Sequence, residues 1–301
     1  MDYLLREIED ASAKRRIQRL KAYVDSHFGE MEVSHFQRLF ENIDPSLKGV
    51  FNQQYRMHWA INDVIAQFYE EDGGLTCGLD RAHAEDADIG NPNSRYHGID
   101  IDGFVRPNDH IIWLDTNSPE ILDGTSRVNY GEIDAVRAIL NEFQKSDSFR
   151  RYQELWCTPE DKQIGLISFY GKQIKQLWQL SKEYPEIPLE VNTVDKFQGM
   201  ERNIIIVSMV RSSCITADKD QRPDYQLYGP SGYPRQDSLG FAQSPNRLNV
   251  ALSRAKRLLI IVGNSELFRN KQIYDNVYRT IDDSDCGNII KCDSEWIGKR
   301  L

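Results

Sequence analysis

The feature that most constrains this chain is an alternation of short apolar runs with stretches of helical spacing. Ile204–Val210 and Leu258–Val262 are almost unbroken apolar runs. That pattern belongs to a strand covered on both faces, not to one with a solvated side. Ile111–Leu114, Ile164–Phe169 and Leu189–Val194 read as further strands. Between and around them lie predicted helices at Tyr130–Phe143, Lys172–Ser181 and Asn246–Lys256. In the first, Ile133, Val136, Ile139, Leu140 and Phe143 fall on one face. Parallel neighbours need a crossover between them, and a helix supplies it. The expectation is therefore an α/β fold, a parallel sheet flanked by helices.

The rest of the chain is arranged around that core. Residues 1–33 are charged with helical spacing and read as a helical N-terminal segment; Met31–Phe40 and Trp59–Tyr69 continue the helical pattern. The main domain is expected over 34–270, with insertions near 70–110 and 215–243, and 271–301 as a C-terminal extension. The stretch at 70–110 carries Gly73-Gly74, Asn91-Pro92-Asn93 and Pro107, and reads as irregular. The one at 215–243 holds Pro223, Pro230 and Pro234, and reads as a long surface loop. The five cysteines are scattered with no CxxC pair, so ordinary thiols are expected and no metal site. No apolar run is long enough for a transmembrane helix, and the acidic start lacks the form of a signal peptide. No membrane partner is expected, and the default location is cytoplasmic, or nuclear in a eukaryote. A net charge of −9 argues against a surface coated with phosphate contacts, so any nucleic-acid site should be local.

Three stretches carry candidate chemistry. In Gln53-Gln54-Tyr55-Arg56-Met57-His58 an aromatic and an arginine stand at a helix entry. The ring suits stacking on a base and the guanidinium suits a phosphate, although a lone Tyr-Arg pair is more often packing plus a surface charge. In Asn192–Glu201, Gly199 allows close backbone approach to a ligand, and Glu201 precedes a very apolar strand. Such a carboxylate orients a water or cation near phosphate, or makes a salt bridge at a strand end. Thr193 and Val194 sit at the carboxyl end of a predicted strand, where open α/β sheets gather ligands. In Asn246–Lys256, Arg247 and Arg254 are seven residues apart, which on a helix places both on one face about 10 Å from each other.

Together these stretches resemble the motifs of superfamily 1 helicases, in the group typified by the nonsense-mediated-decay RNA helicase and its DNA-acting relatives. QYRMH at 54–58, TVDKFQGMERNIIIVSMVRS at 193–212 and NRLNVALSRAKRLLIIVGN at 246–264 are similar to that group's motifs IV, V and VI, in the same order. SHFQRLF at 34–40, RVNYGEIDAVRAIL at 127–140 and ISFYGKQIKQL at 167–177 resemble intervening segments. Phe169 and Trp59 stand where proline is usual in the group.

The resemblance implies a RecA-like fold, that of P-loop NTPases, for the second of two motor domains with ATP bound between them. It implies that Arg56 and Arg254 are arginine fingers, with Glu201 near the γ-phosphate. Tyr55 would stack on the adenine, and Gln54, Gly199 and Arg247 would line the nucleotide cleft. Tyr170, Thr193 and Val194 would face single-stranded DNA or RNA. The sequence contains no GxxxxGK[ST] run. The phosphate cradle and Mg²⁺ ligands are therefore expected in an N-terminal RecA-like domain of the same full-length chain, with no hydrolysis by this piece alone. The competing expectation is a catalytically silent binding module on a helicase fold.

Overall fold

The computed structural model describes residues 12–20, 22, 35–47, 49, 51–79, 95–124, 126–157, 162–212, 215–216 and 239–301. The remainder of the expected helical segment 1–33, residues 80–94 of one insertion and 217–238 of the other lie outside the described residues. The chain divides into two compact units, Met1–Val50 and Phe51–Leu301. The first holds a helix over 12–20 (α1), the helix His35–Asn42 (α2) and a 3-10 turn at Pro45–Leu47.

The second unit begins with β1 (Gln53–Gln54) and α3 (Trp59–Ala66), which runs on as the 3-10 stretch Gln67–Asp72. Then come β2 (Thr76–Cys77), β3 (Ile111–Asp115), β4 (Glu120–Asp123), β5 (Ser126–Val128), α4 (Tyr130–Lys145) and α5 (Asp147–Trp156). They are followed by β6 (Ile164–Ser168), α6 (Gly171–Ser181), β7 (Leu189–Thr193), β8 (Arg202–Ser208), β9 (Ile215–Thr216) and α7 (Pro245–Leu252). The chain ends with β10 (Ala255–Gly263), α8 (Ser265–Phe268), α9 (Gln272–Asp282), β11 (Gly287–Lys291) and α10 (Ser294–Gly298).

Six strands form one sheet in the order β11-β3-β10-β8-β6-β7, and every pairing in it is parallel. This is the expected α/β fold. Alternation along each strand divides the apolar side chains between two cores. Ile112, Leu114, Ile204, Ile206, Leu258 and Ile260 pack with α4, α5 and α6 on one face. Ile111, Trp113, Ile205, Val207, Leu259 and Ile261 pack with α3, α7 and α9 on the other. Helix starts are set by side-chain caps: Asn129 accepts from the Glu132 amide and Ser146 from the Phe149 amide.

One sequence expectation changes. The predicted helix Asn246–Lys256 stops at Leu252, because Ala255 already pairs with Arg202 in the sheet. Tertiary strand pairing overrides the helical spacing there. The stretch 271–301, expected as a C-terminal extension, contributes a strand to the sheet. β11 pairs with β3 along its whole length and forms an edge of the main sheet.

Candidate functional site

The sheet separates the candidate residues into two groups at its opposite ends. Thr193 and Ser168 end β7 and β6 side by side, at the carboxyl edge. Glu201 and Arg254 directly precede β8 and β10, at the amino edge. The segment 194–201 runs back from one edge to the other, past a five-residue strand about 16 Å long.

At the amino edge three segments are stitched together by backbone bonds. The Arg202 amide donates to the Arg254 carbonyl at 2.9 Å, and the His58 amide donates to the Lys256 carbonyl at 2.9 Å. The loop 54–57 is shaped by one side chain: Gln54 Oε1 accepts from the amides of Arg56 (2.7 Å) and Met57 (2.9 Å). Arg95 clamps the same loop from outside, donating to the carbonyls of Arg56 (2.6 Å) and Tyr55 (2.8 Å). Beneath the loop, the buried His58 ring stacks on His110 with centroids 3.4 Å apart. Burial holds the His110 pKa well below the ordinary value, and that of His97, which meets His110 edge-on, at about 4, so both rings are neutral near pH 7.

The charged centre is Glu201. It accepts from Arg56 Nε at 2.6 Å and Lys256 Nζ at 2.6 Å, one on each carboxylate oxygen. Partial burial opposes its ionisation, but the hydrogen bonds and charges of Lys256 and Arg56 outweigh that and lower its pKa. Arg56 also donates from Nη1 to the Ser253 carbonyl at 3.1 Å. Arg254 folds back over the end of α7, donating to the carbonyls of Val250 (3.0 Å) and Met200 (3.1 Å) and to Ser253 Oγ (3.0 Å). It thereby satisfies a carbonyl left over at the helix terminus. Burial and then the neighbouring Arg56 charge lower its pKa. Four cations, Arg56, Arg95, Arg254 and Lys256, thus surround one carboxylate. Such an excess suits a polyanion.

Tyr55 stands at the rim, 60% exposed, its hydroxyl donating to Gln53 Oε1 at 2.8 Å. Its ring lies so close to Gly78 that a Cβ there would come within 2.5 Å of it. Gly199 has φ +86°, and among the described residues, its chain neighbours aside, no atom lies within 4 Å of where its Cβ would be. Backbone at that point is open to a ligand.

The structure therefore brings Gln54, Tyr55, Arg56, Glu201 and Arg254 together, with Gly199 at the adjoining turn. It does not bring Arg247 to them. Because α7 ends early, Arg247 and Arg254 do not share a helical face; Arg247 pairs with Asp195 at 3.2 Å near the other edge. Of the residues expected to face a strand, Tyr170 and Val194 are 5% and 2% exposed and Thr193 is half-buried. Sequence reading gave no role to Lys256, although it lies in the third stretch. It missed Arg95, which carries no local signal within the irregular 70–110 region. Among the described residues no group of three or more His, Cys, Asp or Glu side chains could hold a metal ion. None of the described helices is long and apolar enough to cross a membrane.

Comparison with known proteins places this geometry in a family. The AAA_12 family, described as an AAA domain, matches residues 31–266. The chain is 32% identical over 74% of its length to the regulator of nonsense transcripts 1 homolog of Drosophila melanogaster, covering 16% of that protein. It is 27% identical over 84% of its length to the DNA replication ATP-dependent helicase/nuclease dna2 of Schizosaccharomyces pombe, covering 16%. It is 29% identical over 62% of its length to the DNA polymerase alpha-associated DNA helicase A of Saccharomyces cerevisiae, covering 22%. The chain thus spans about a sixth to a fifth of the length of these relatives.

Proposed function

The chain belongs to the AAA_12 family of AAA domains, and from that footing we propose that it is the second motor domain of an ATP-dependent superfamily 1 helicase, with single-stranded DNA or RNA as its track. The observation that carries this reading is the excess of cations around Glu201 on a chain whose net charge is −9.

Phosphoryl transfer needs positioning and charge neutralisation more than covalent chemistry, and a finger arginine contributes on the order of 10³–10⁵ in rate. Arg56 and Arg254 are the fingers. Arg56 waits on Glu201 in an ion pair that is more than a third exposed on both sides. Pairs of this kind are weak, so a terminal phosphate displaces the carboxylate easily. Glu201 then keeps Lys256 and orients groups around the γ-phosphate. Tyr55 stacks on the adenine, Gln54 holds the loop in shape, and Gly199 lets the backbone come close. The magnesium ion would be held with the phosphates by a P-loop domain of the same full-length protein, where it neutralises developing charge. Closing of that domain onto this one, as ATP bridges them, moves the strand held at the other edge of the sheet.

The test is ATP turnover by the chain alone and mixed with a P-loop-bearing motor half, with and without single-stranded oligonucleotide. Turnover confined to the mixture and raised by the strand is the expected result. No turnover in a docked mixture would leave a silent binding module. Turnover by the chain alone would overturn the split-site reading.

A further inference from the structure

At the carboxyl edge of the sheet a large aromatic side chain of the turn before α7 is exposed. Phe241 lies in the 3-10 turn Gly240–Gln243 and is 54% exposed. Its inner edge meets Tyr170, the centroids 5.7 Å apart and the rings tilted by 56°. The guanidinium carbon of Arg247 stands 5.1 Å from the Phe241 centroid.

The turn presenting this ring is closely packed and hydrogen-bonded. Gly240 has φ +55°, and a Cβ there would come within 2.5 Å of Tyr170 Oη and 3.0 Å of Arg211 Nη1. Only glycine allows the chain to pass that close to the buried Tyr170 and Arg211. On the other side of Phe241 the Ala242 amide donates to the Leu239 carbonyl at 3.1 Å, and the buried Tyr274 hydroxyl donates to the Ala242 carbonyl. The ring is therefore held out between two fastened residues, not left over by loose packing.

Its neighbours connect it to the strand candidates. Arg247 is tied to Asp195 at 3.2 Å, two residues beyond Thr193. Tyr170 follows β6, whose last residue Ser168 is paired with Thr193. Phe241, Arg247 and Thr193 thus lie along one edge. Phe241 precedes α7 and is separated from Arg254 by the whole of that helix, eight residues or about 12 Å, while Arg247 sits in its first turn.

We infer that Phe241 is a stacking platform for one base of a single-stranded nucleic acid, with Arg247 holding the adjoining phosphate. The inference rests on the strand-binding reading above and moves Arg247 from the nucleotide cleft to the strand. An exposed ring stacks on any base, since every base has a π-face, which suits a track read without sequence preference. The Arg247–Asp195 pair is half in solvent, so Arg247 can exchange that partner for a phosphate. One ring flanked by an ion pair is not the contiguous apolar patch of a protein interface.

The test is fluorescence anisotropy of this chain at low salt with a short oligothymidylate and with an abasic oligonucleotide of equal length. Phe241→Ala is expected to weaken the base-bearing ligand about five- to a hundredfold and the abasic one little. Phe241→Trp should bind at least as well as wild type. Arg247→Ala should lower the slope of log affinity against log salt by about one for both ligands. Equal binding by wild type and Phe241→Ala overturns the inference and leaves the strand-binding reading standing. Binding of neither oligonucleotide by wild type overturns both. A 2-aminopurine oligonucleotide bound to wild type gives a second readout that needs no substitution. Quenching on binding supports the stack, and its absence overturns it.

Discussion

Glu132 is the most informative residue to perturb, because the structure buries a carboxyl where it would otherwise be charged. Its side chain is inaccessible to solvent, and both oxygens lie 2.9 Å from the Val210 amide, with Ser208 Oγ at 2.6 Å. Val210 needs that anchor, since it has φ 72°, a region β-branched residues rarely occupy. Burial raises the Glu132 pKa to about 8, against the opposing hydrogen bonds from Ser208 and Val210. The folded state therefore holds a proton that the unfolded chain, at about 4.5, has already lost. This group's contribution is fully present below pH 4.5 and is lost as pH rises through 8, at about 1.4 kcal/mol per pH unit and about 5 kcal/mol in all. Glu132→Gln stays neutral, keeps an oxygen for the Val210 amide and offers its amide group to Ser208 Oγ. The assay is urea unfolding of wild type and variant from pH 5 to pH 8 at fixed ionic strength. Their stability difference should move toward the variant by about 3–4 kcal/mol over that range. Parallel curves would refute the reasoning, because they would mean that Glu132 has the same protonation in both states.

Three further outcomes follow from the amino-edge cluster. Arg254→Ala in a reconstituted motor should lower ATP turnover at least about a hundredfold while ATP still binds; retained turnover would remove it from the finger role. Tyr55→Ala should leave stability within about 0.5 kcal/mol, since the ring is mostly exposed, and should weaken ATP binding but not tripolyphosphate binding. An equal loss for both ligands would show that the ring does not meet the base. Glu201→Gln breaks two part-exposed ion pairs, so its stability cost should stay under about 1 kcal/mol after solvent screening. Tripolyphosphate should bind this variant more tightly at low salt, and unchanged affinity would argue that the cations around Glu201 do not form a polyanion site.

Local pattern was enough to read the layering. Unbroken apolar runs such as Ile204–Val207 and Leu258–Val262 can only be central strands, and the amphipathic spacing of Tyr130–Phe143 can only cover one face of them. It also marked Arg56, Glu201 and Arg254, because the motifs around them are contiguous in the chain. It could not show where α7 stops, since Ala255 is drawn into the sheet by Arg202, which lies more than fifty residues earlier. Nor could it place Gly287–Lys291 beside Ile111–Asp115. The same holds for the charges. Whether Glu201 is an isolated carboxylate or the shared partner of Arg56 and Lys256 depends on strands that meet only in the folded sheet. Arg95 and Phe241 were silent for that reason: one sits in an irregular stretch and the other at the end of a long loop, and each meets partners distant in sequence, Arg56 and Tyr170. Periodicity and motif are local properties and survive in a string of letters. Strand order, helix ends and the meeting of charges arise from long-range pairing, which exists only once the chain has folded.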